Sequence, residues 1–152
     1  MVLAMIASVV LVSLTIVVHY EVLRLTSLLL PHLTMVRPRQ RIVVVIYAAF
    51  LAHTIEVYFY AIAYWLMEQH FGFGNAVMQV GSPRQLDFED LVYFSTITYT
   101  SVGFGDVVPL GGLRLVSGVE ALNGLLMIGW SASFTYLCMQ ELWPQHVRHK
   151  RR

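Results

Sequence analysis

The chain is poor in charge and in cysteine. Of its 152 residues only 12% are charged, against roughly 25% in typical soluble domains, while 57% are hydrophobic. The single cysteine, Cys138, excludes an intrachain disulfide framework. A formal net charge of +1 gives no general attraction to nucleic acid, which is not expected as a partner. The composition indicates a protein of the lipid bilayer.

The sequence also lacks the motifs of common catalytic sites. It contains no P-loop, no HExxH zinc helix and no plausible Ser-His-Asp constellation. We therefore do not predict an enzyme, and no resident cofactor is expected.

Three long apolar stretches can each cross a bilayer, for which about 20 mainly apolar residues are needed. The first covers residues 1–30 and ends before Pro31, since proline interrupts a helix. It could instead be a secretory signal peptide, but no Lys or Arg precedes Arg24 and no convincing cleavage site follows. The other two are predicted as helices over residues 42–67 and 113–141.

Basic residues predict the orientation, because they remain preferentially on the cytoplasmic side. They cluster between the first two stretches and at the C-terminus, at Arg37, Arg39, Arg41, Arg148, Lys150, Arg151 and Arg152. Both clusters are expected in the cytoplasm, which places the N-terminus and the acidic segment 68–114 outside. The expected location is a cell membrane, specifically a bacterial inner membrane.

A shorter pattern lies within the external segment. Asp87 can cap a helix predicted over 87–100, which is too short and too rich in hydroxyls to span a membrane. The string Ser-Val-Gly-Phe-Gly-Asp follows at 101–106, where Gly103 and Gly105 can adopt positive φ without Cβ strain. Such a re-entrant loop is tolerated at membrane depth only where it is buried or lines a cavity. An ordinary glycine turn between helices is the alternative.

The run from Asp87 to Pro109 resembles the pore helix, selectivity filter and exit turn of potassium channels. It resembles most the small bacterial channels with two core transmembrane helices and one pore loop, over roughly residues 42–140. The resemblance implies a homotetramer, so that three identical subunits are partners, and it implies K⁺ as the permeant ion. The implied ion-binding residues are Ser101, Val102, Gly103, Phe104 and Gly105, with K⁺ held at the first four.

Two departures from the family pattern leave alternatives open. Ser101 replaces the usual threonine and Phe104 replaces the usual tyrosine. The same string resembles the filter of ether-à-go-go-related channels, which still select potassium. A non-selective channel for Na⁺ and K⁺ with the same architecture is one alternative. A non-conducting membrane scaffold with a degenerate pore is another.

Polar residues around this string are expected to support it. Tyr93 stands where relatives carry a buttressing aromatic residue, and it is expected to contact Asp106. His53 and Glu56 share a face of the second helix, as do Glu120 and Asn123 on the third, and ionisable groups inside a membrane are costly. They either hold the loop by hydrogen bonds, with Ser95 or Thr98 as donors, or form a pH-sensitive gating network. The support set is Tyr93, Thr98, Thr100, Asp106 and Glu120, and the possible network is His53, Glu56, Asn123 and Gly124.

The third helix has a glycine near the hinge position of the relatives' inner helix. Gly124 is a hinge on this interpretation; the alternative is that Gly124 and Gly129 pack closely against the second helix or a neighbouring subunit. Helical spacing places four residues on one face that is expected to line the pore: Leu125, Ile128, Ala132 and Tyr136.

The predicted fold is an all-α membrane protein with a potassium-channel-like pore and an extra N-terminal transmembrane helix. Residues 1–36 form that helix and a cytoplasmic turn. Residues 37–143 form the pore domain, and residues 144–152 form a basic cytoplasmic tail.

Overall fold

Four α-helices make up most of the part of the chain that the structure describes, which is residues 2–72, 74–79, 84 and 86–143 of a computed structural model. The predicted basic tail, 144–152, lies outside the described residues. The helices are α1 (Val2–Leu29), α2 (Arg41–Leu66), α3 (Phe88–Tyr99) and α4 (Leu113–Leu142). The protein is therefore mostly helical.

Three of these helices are long and apolar enough to cross a membrane. The candidate spans are Val2–His32, Pro38–His70 and Leu113–Leu142. Apolar side chains exposed along them, such as Val9, Phe50 and Leu126, suit contact with lipid or with another chain. The chain is thus a membrane protein.

The ends of α1 and α2 follow local backbone chemistry. Pro31 lies in a 3₁₀ turn, Leu30–His32, directly after α1, and Pro38 begins a second one, Pro38–Gln40, before α2. At its other end α2 continues as a π-helical turn, Met67–Phe71. Gly72 ends this turn at a φ of 58°, a left-handed conformation that glycine adopts without Cβ strain.

Helix α3 begins at a capping box. The Asp87 side chain accepts from the backbone of Asp90, and the Asp90 carboxylate accepts from the Asp87 backbone N–H at 2.9 Å. Arg84 adds two hydrogen bonds to Asp90, at 2.6 and 2.8 Å, and this guanidinium lowers the pKa of the Asp90 carboxyl. The predicted cap at Asp87 therefore opens a helix that is fixed at its first turn.

A small antiparallel sheet, which the sequence patterns did not predict, joins the chain before and after α3. Strand β1 (Ala76–Met78) pairs with β2 (Val107–Pro109), with Val77 opposite Val108. Gly74 passes so close to this region that an added Cβ would lie 2.1 Å from the Leu110 carbonyl oxygen. Both ends of the α3 segment are therefore tied together.

The core lies where the helices meet. Helix α3 contacts α2 and α4, and α1 contacts the same two helices. The largest fully buried side chains include Tyr60 and Tyr64 of α2, Leu91 and Tyr99 of α3, and Leu113 of α4. Buried groups on α1 follow one stripe: Ala4, Ser8, Leu11, Thr15, His19, Leu23 and Thr26.

Candidate functional site

The glycine loop that follows α3 alternates in backbone handedness. Ser101, Gly103 and Gly105 have φ values of 57°, 51° and 80°, and no other non-glycine residue of the described chain has a positive φ. The alternation was predicted at the two glycines but not at Ser101. Left-handed backbone disfavours β-branched residues, so serine is better suited to this position than threonine.

Backbone hydrogen bonds hold the start of the loop against the end of α3. The Ser101 N–H donates to the Thr98 carbonyl at 2.9 Å, and the Gly103 N–H donates to the Ile97 carbonyl at 3.0 Å. The Thr100 hydroxyl donates to the Thr96 carbonyl at 2.8 Å, so this side chain stabilises the last turn of α3. The loop therefore starts from a fixed helix end.

The far end of the loop is held at Asp106. The Tyr93 hydroxyl donates to Asp106 Oδ2 at 2.7 Å, which is the contact expected from the sequence, and this bond to a carboxylate raises the pKa of Tyr93. The backbone N–H of Val107 donates to Oδ1 at 3.1 Å, and the backbone N–H of Gln79 donates to the Asp106 carbonyl at 2.7 Å. Asp106 thus joins α3, the loop and the sheet.

Glu120 is fully buried between α2, α3 and α4. Its carboxylate accepts from the Ser95 hydroxyl at 2.5 Å and from the Tyr64 hydroxyl. Ser95 Oγ also lies 2.9 Å from the Val57 carbonyl oxygen, and its one hydrogen can serve only one of these acceptors at a time. Of the two hydroxyls considered from the sequence, the structure brings Ser95 to Glu120, while Thr98 is half-buried in the last turn of α3.

Glu56 is the second fully buried carboxylate, and its partners come from three helices. It accepts from the Tyr99 hydroxyl of α3, and its Oε1 lies 2.9 Å from His19 Nδ1 of α1. His53, one turn away on α2, places its Nδ1 3.5 Å from Glu56 Oε2 and 3.0 Å from the Tyr99 oxygen. His19 was not among the site residues predicted from the sequence, although it is a polar residue inside an apolar stretch.

Ser131 closes this group on the α4 side. Its Oγ lies 3.1 Å from Nε2 of His19 and 3.0 Å from Nε2 of His53. We define His19, His53, Glu56, Tyr99 and Ser131 as the histidine cluster.

Asn123 lies beside the cluster rather than in it. Its Nδ2 donates to Thr15 Oγ1 at 2.8 Å and to the Tyr60 hydroxyl at 3.3 Å, while its Oδ1 is buried with no partner among the described residues. The four residues that were expected to form one network therefore lie in separate groups. His53 and Glu56 meet each other, whereas Asn123 joins α4 to α1 and α2.

Gly124 packs against the end of α3. A Cβ at this position would lie 2.0 Å from the Tyr99 carbonyl oxygen and 2.9 Å from Tyr99 Cγ. Close packing was one of the two expectations for Gly124, and within the chain the contact is with α3. At Gly129 an added Cβ would meet nothing within 4 Å, so this glycine is not required for packing inside the chain.

The loop and one side of α4 are open in the single chain. Val102 is 54% exposed and Phe104 is 71% exposed. The four residues predicted to line the pore are also exposed: Leu125, Ile128, Ala132 and Tyr136. Ala132 and Tyr136 in addition border a cavity between α2 and α4.

Spanning helices that enclose a short helix, with a glycine loop of alternating handedness at its end, define a membrane protein with a channel-like core. A family model described as "Ion channel" matches residues 42–141, and the chain belongs to this two-transmembrane ion channel family. Helix α1 lies outside the matched region.

One curated relative adds a partial likeness. The chain is 34% identical over 61 residues to "Uncharacterized membrane protein YdjJ" of Bacillus subtilis (strain 168), which covers 40% of this chain and 18% of that protein. The chain thus spans less than a fifth of that relative's length. No solved structure matches the chain significantly.

The contact at Gly124 gives a first prediction. Gly124→Ala should lower the free energy of unfolding in detergent by about 1–3 kcal/mol, because the new methyl group meets backbone that cannot move without shifting α3. The matched change Gly129→Ala should have little effect or a small stabilising one, since alanine favours helix by about 1 kcal/mol over glycine. Equal stability of the two variants would contradict this packing role.

Proposed function

We propose that the protein is a potassium-selective channel that conducts K⁺ passively as a homotetramer. The observation that carries the proposal is the glycine loop with its alternating backbone at Ser101, Gly103 and Gly105. Alternation of this kind turns successive carbonyl groups to the same side of the chain. Several such loops around one axis would replace the hydration shell of a cation with protein oxygens.

The exposure of the loop supports assembly of several chains. One chain supplies only one wall of an ion pathway and leaves Val102 and Phe104 uncovered. Non-helical backbone at membrane depth requires cover by protein or contact with water. Four copies meeting at their loops would provide both, with the side chains covered by neighbours and the carbonyl groups facing a central file of ions.

Helix α3 favours a cation in the same place. The helix ends at Tyr99, directly before the loop, so its partially negative C-terminus lies at the loop's start. In the tetramer α3 serves as pore helix and residues 101–105 as filter. Below the filter, Leu125, Ile128, Ala132 and Tyr136 line the pathway, and the arginine-containing turn between α1 and α2 faces the cytoplasm.

A second candidate is a cation channel that does not discriminate K⁺ from Na⁺. Ser101 and Phe104 favour it, because both differ from the residues usual in potassium filters. A non-conducting scaffold is a third possibility, which the intact Gly-Phe-Gly-Asp string at 103–106 disfavours.

Flux through purified protein tests the proposal. In liposomes we expect K⁺ flux blocked by Ba²⁺, a tetrameric mass in mild detergent, and a reversal potential in mixed K⁺ and Na⁺ that follows the K⁺ gradient. Equal permeability to K⁺ and Na⁺ would favour the non-selective channel. A dimeric mass would contradict the tetramer, and absence of any ion flux would favour the scaffold.

The bond between Tyr93 and Asp106 gives a prediction about the outer end of the filter. Tyr93→Phe removes the donor at 2.7 Å while it keeps the ring, so the outer filter is held less firmly and current should decay faster during sustained opening. Tyr47→Phe is the control, because that side chain is 71% exposed near the start of α2 and has no part in the filter or the pore lining. Matching decay in Tyr93→Phe and wild-type protein would argue against a supporting role.

The carboxylate of Glu120 gives a prediction about acid. Its bonds with Ser95 and Tyr64 join α3 to α2, and protonation of the carboxylate would remove one acceptor from this junction. The other titratable groups near it are the tyrosines Tyr60, Tyr64 and Tyr99, and a phenol does not ionise between about pH 5 and 8. We therefore expect open probability to fall as the pH falls.

Glu120→Gln should abolish this pH response and leave selectivity unchanged, as measured by single-channel recording. Glu141→Gln, an exposed carboxyl at the end of α4, is the matched control and should keep the response. A normal pH curve in Glu120→Gln, together with lower tetramer stability, would leave Glu120 a purely structural residue.

A further inference from the structure

We propose that the histidine cluster is a binding site for a divalent transition-metal ion of the Zn²⁺ class, placed between α1, α2 and α4. His19, His53 and Glu56 each offer one ligand atom, and these atoms all lie within 4.8 Å of one another. Two imidazole nitrogens and one carboxylate oxygen are a common ligand set for zinc in proteins. The proposal does not depend on which ion the protein conducts.

The spacing of the atoms suits a small tetrahedral ion. With metal–ligand bonds of about 2.0–2.1 Å, the edges of the ligand tetrahedron are about 3.3 Å. His19 Nδ1 lies 2.9 Å from Glu56 Oε1 and His53 Nδ1 lies 3.5 Å from Glu56 Oε2, so each histidine is near that distance from a different oxygen of the one carboxylate. The Tyr99 hydroxyl lies 3.0 Å from His53 Nδ1 and donates to the Glu56 carboxylate, so it is in contact with two of the three ligand residues.

Ser131 orients both histidines for this role. A histidine that binds metal through one ring nitrogen normally donates its other N–H to a nearby acceptor, which fixes the ring. Here one hydroxyl oxygen lies 3.1 and 3.0 Å from the two Nε2 atoms, and it has two lone pairs to accept both. Both Nδ1 atoms are thereby directed to the same side, towards Glu56.

The cluster is not closed on every side within the single chain. His19 and Glu56 are fully buried, but the His53 side chain is 21% exposed. It borders, together with Ser131, an open apolar groove between α2 and α4 that is lined also by Ala49, Phe50 and Ala132. Because the site is mostly buried, a bound ion would lose most of its hydration water. The three protein ligands would then have to replace that water, and they would determine the affinity.

The test is titration of the full-length protein with Co²⁺, whose tetrahedral complexes absorb strongly in visible light. His146 and His149 are first replaced by asparagine, so that the C-terminal histidines cannot contribute. We expect one tetrahedral Co²⁺ per chain, displaced by Zn²⁺. The bands should disappear in His19→Asn, and Ser131→Ala should weaken binding by about 10–100-fold. His32→Asn, a change at an exposed histidine, should bind as before.

Absence of tetrahedral bands would overturn the proposal, and so would unchanged bands in both His19→Asn and His53→Asn. X-ray absorption at the zinc edge of the Zn²⁺-loaded protein needs no cluster variant, so it decides the matter even if those variants do not fold. A shell with two imidazoles supports the site, and a shell of water or of sulfur refutes it.

Discussion

Two carboxylates buried among membrane helices constrain the whole structure. Lipid supplies no hydrogen bonds, so Glu56 and Glu120 must find their donors within the protein, and a buried group without them costs several kcal/mol. Each finds donors on different helices: Glu120 from α2 and α3, Glu56 from α1 and α3. A hydrogen bond tolerates only a small range of distances and angles. The bonds to both carboxylates therefore fix the position of α3 between its neighbours, and this also fixes the point at which the loop begins.

Helix α1 belongs to this scheme although it lies outside the region that matches the ion channel family. Its His19 is a partner of Glu56, and its Thr15 accepts from Asn123 of α4. A chain without α1 would leave two buried polar groups of the matched region with fewer partners. The polar side chains of the helix are thus complementary to the core, while its apolar side chains are suited to lipid.

The sequence contains the signals for the long helices, for the cap of α3 and for the two left-handed glycines, because each depends on neighbouring residues. Ser101 gave no such signal, since serine does not by itself require positive φ. The strands β1 and β2 are three residues long and defined only by pairing across about thirty residues, which periodicity cannot show. The polar side of α1 was visible at helical spacing, at Ser8, Thr15, His19 and Thr26, but its partners on α2 and α4 emerge only from the fold.

The two ends of the glycine loop are held by different chemistry, and this difference has a mechanical consequence. At the end that follows α3, Tyr99 is fixed twice, by its hydroxyl on buried Glu56 and by its carbonyl group against Gly124. At the end that precedes β2, Asp106 is held by hydrogen bonds that include the exposed hydroxyl of Tyr93. A hydrogen bond that competes with water contributes only about 0.5–1.5 kcal/mol, whereas breaking a buried bond to a carboxylate leaves an unsatisfied group at higher cost. The Asp106 end is therefore the less firmly held end of the loop, whereas the Tyr99 end is held by the packing of three helices.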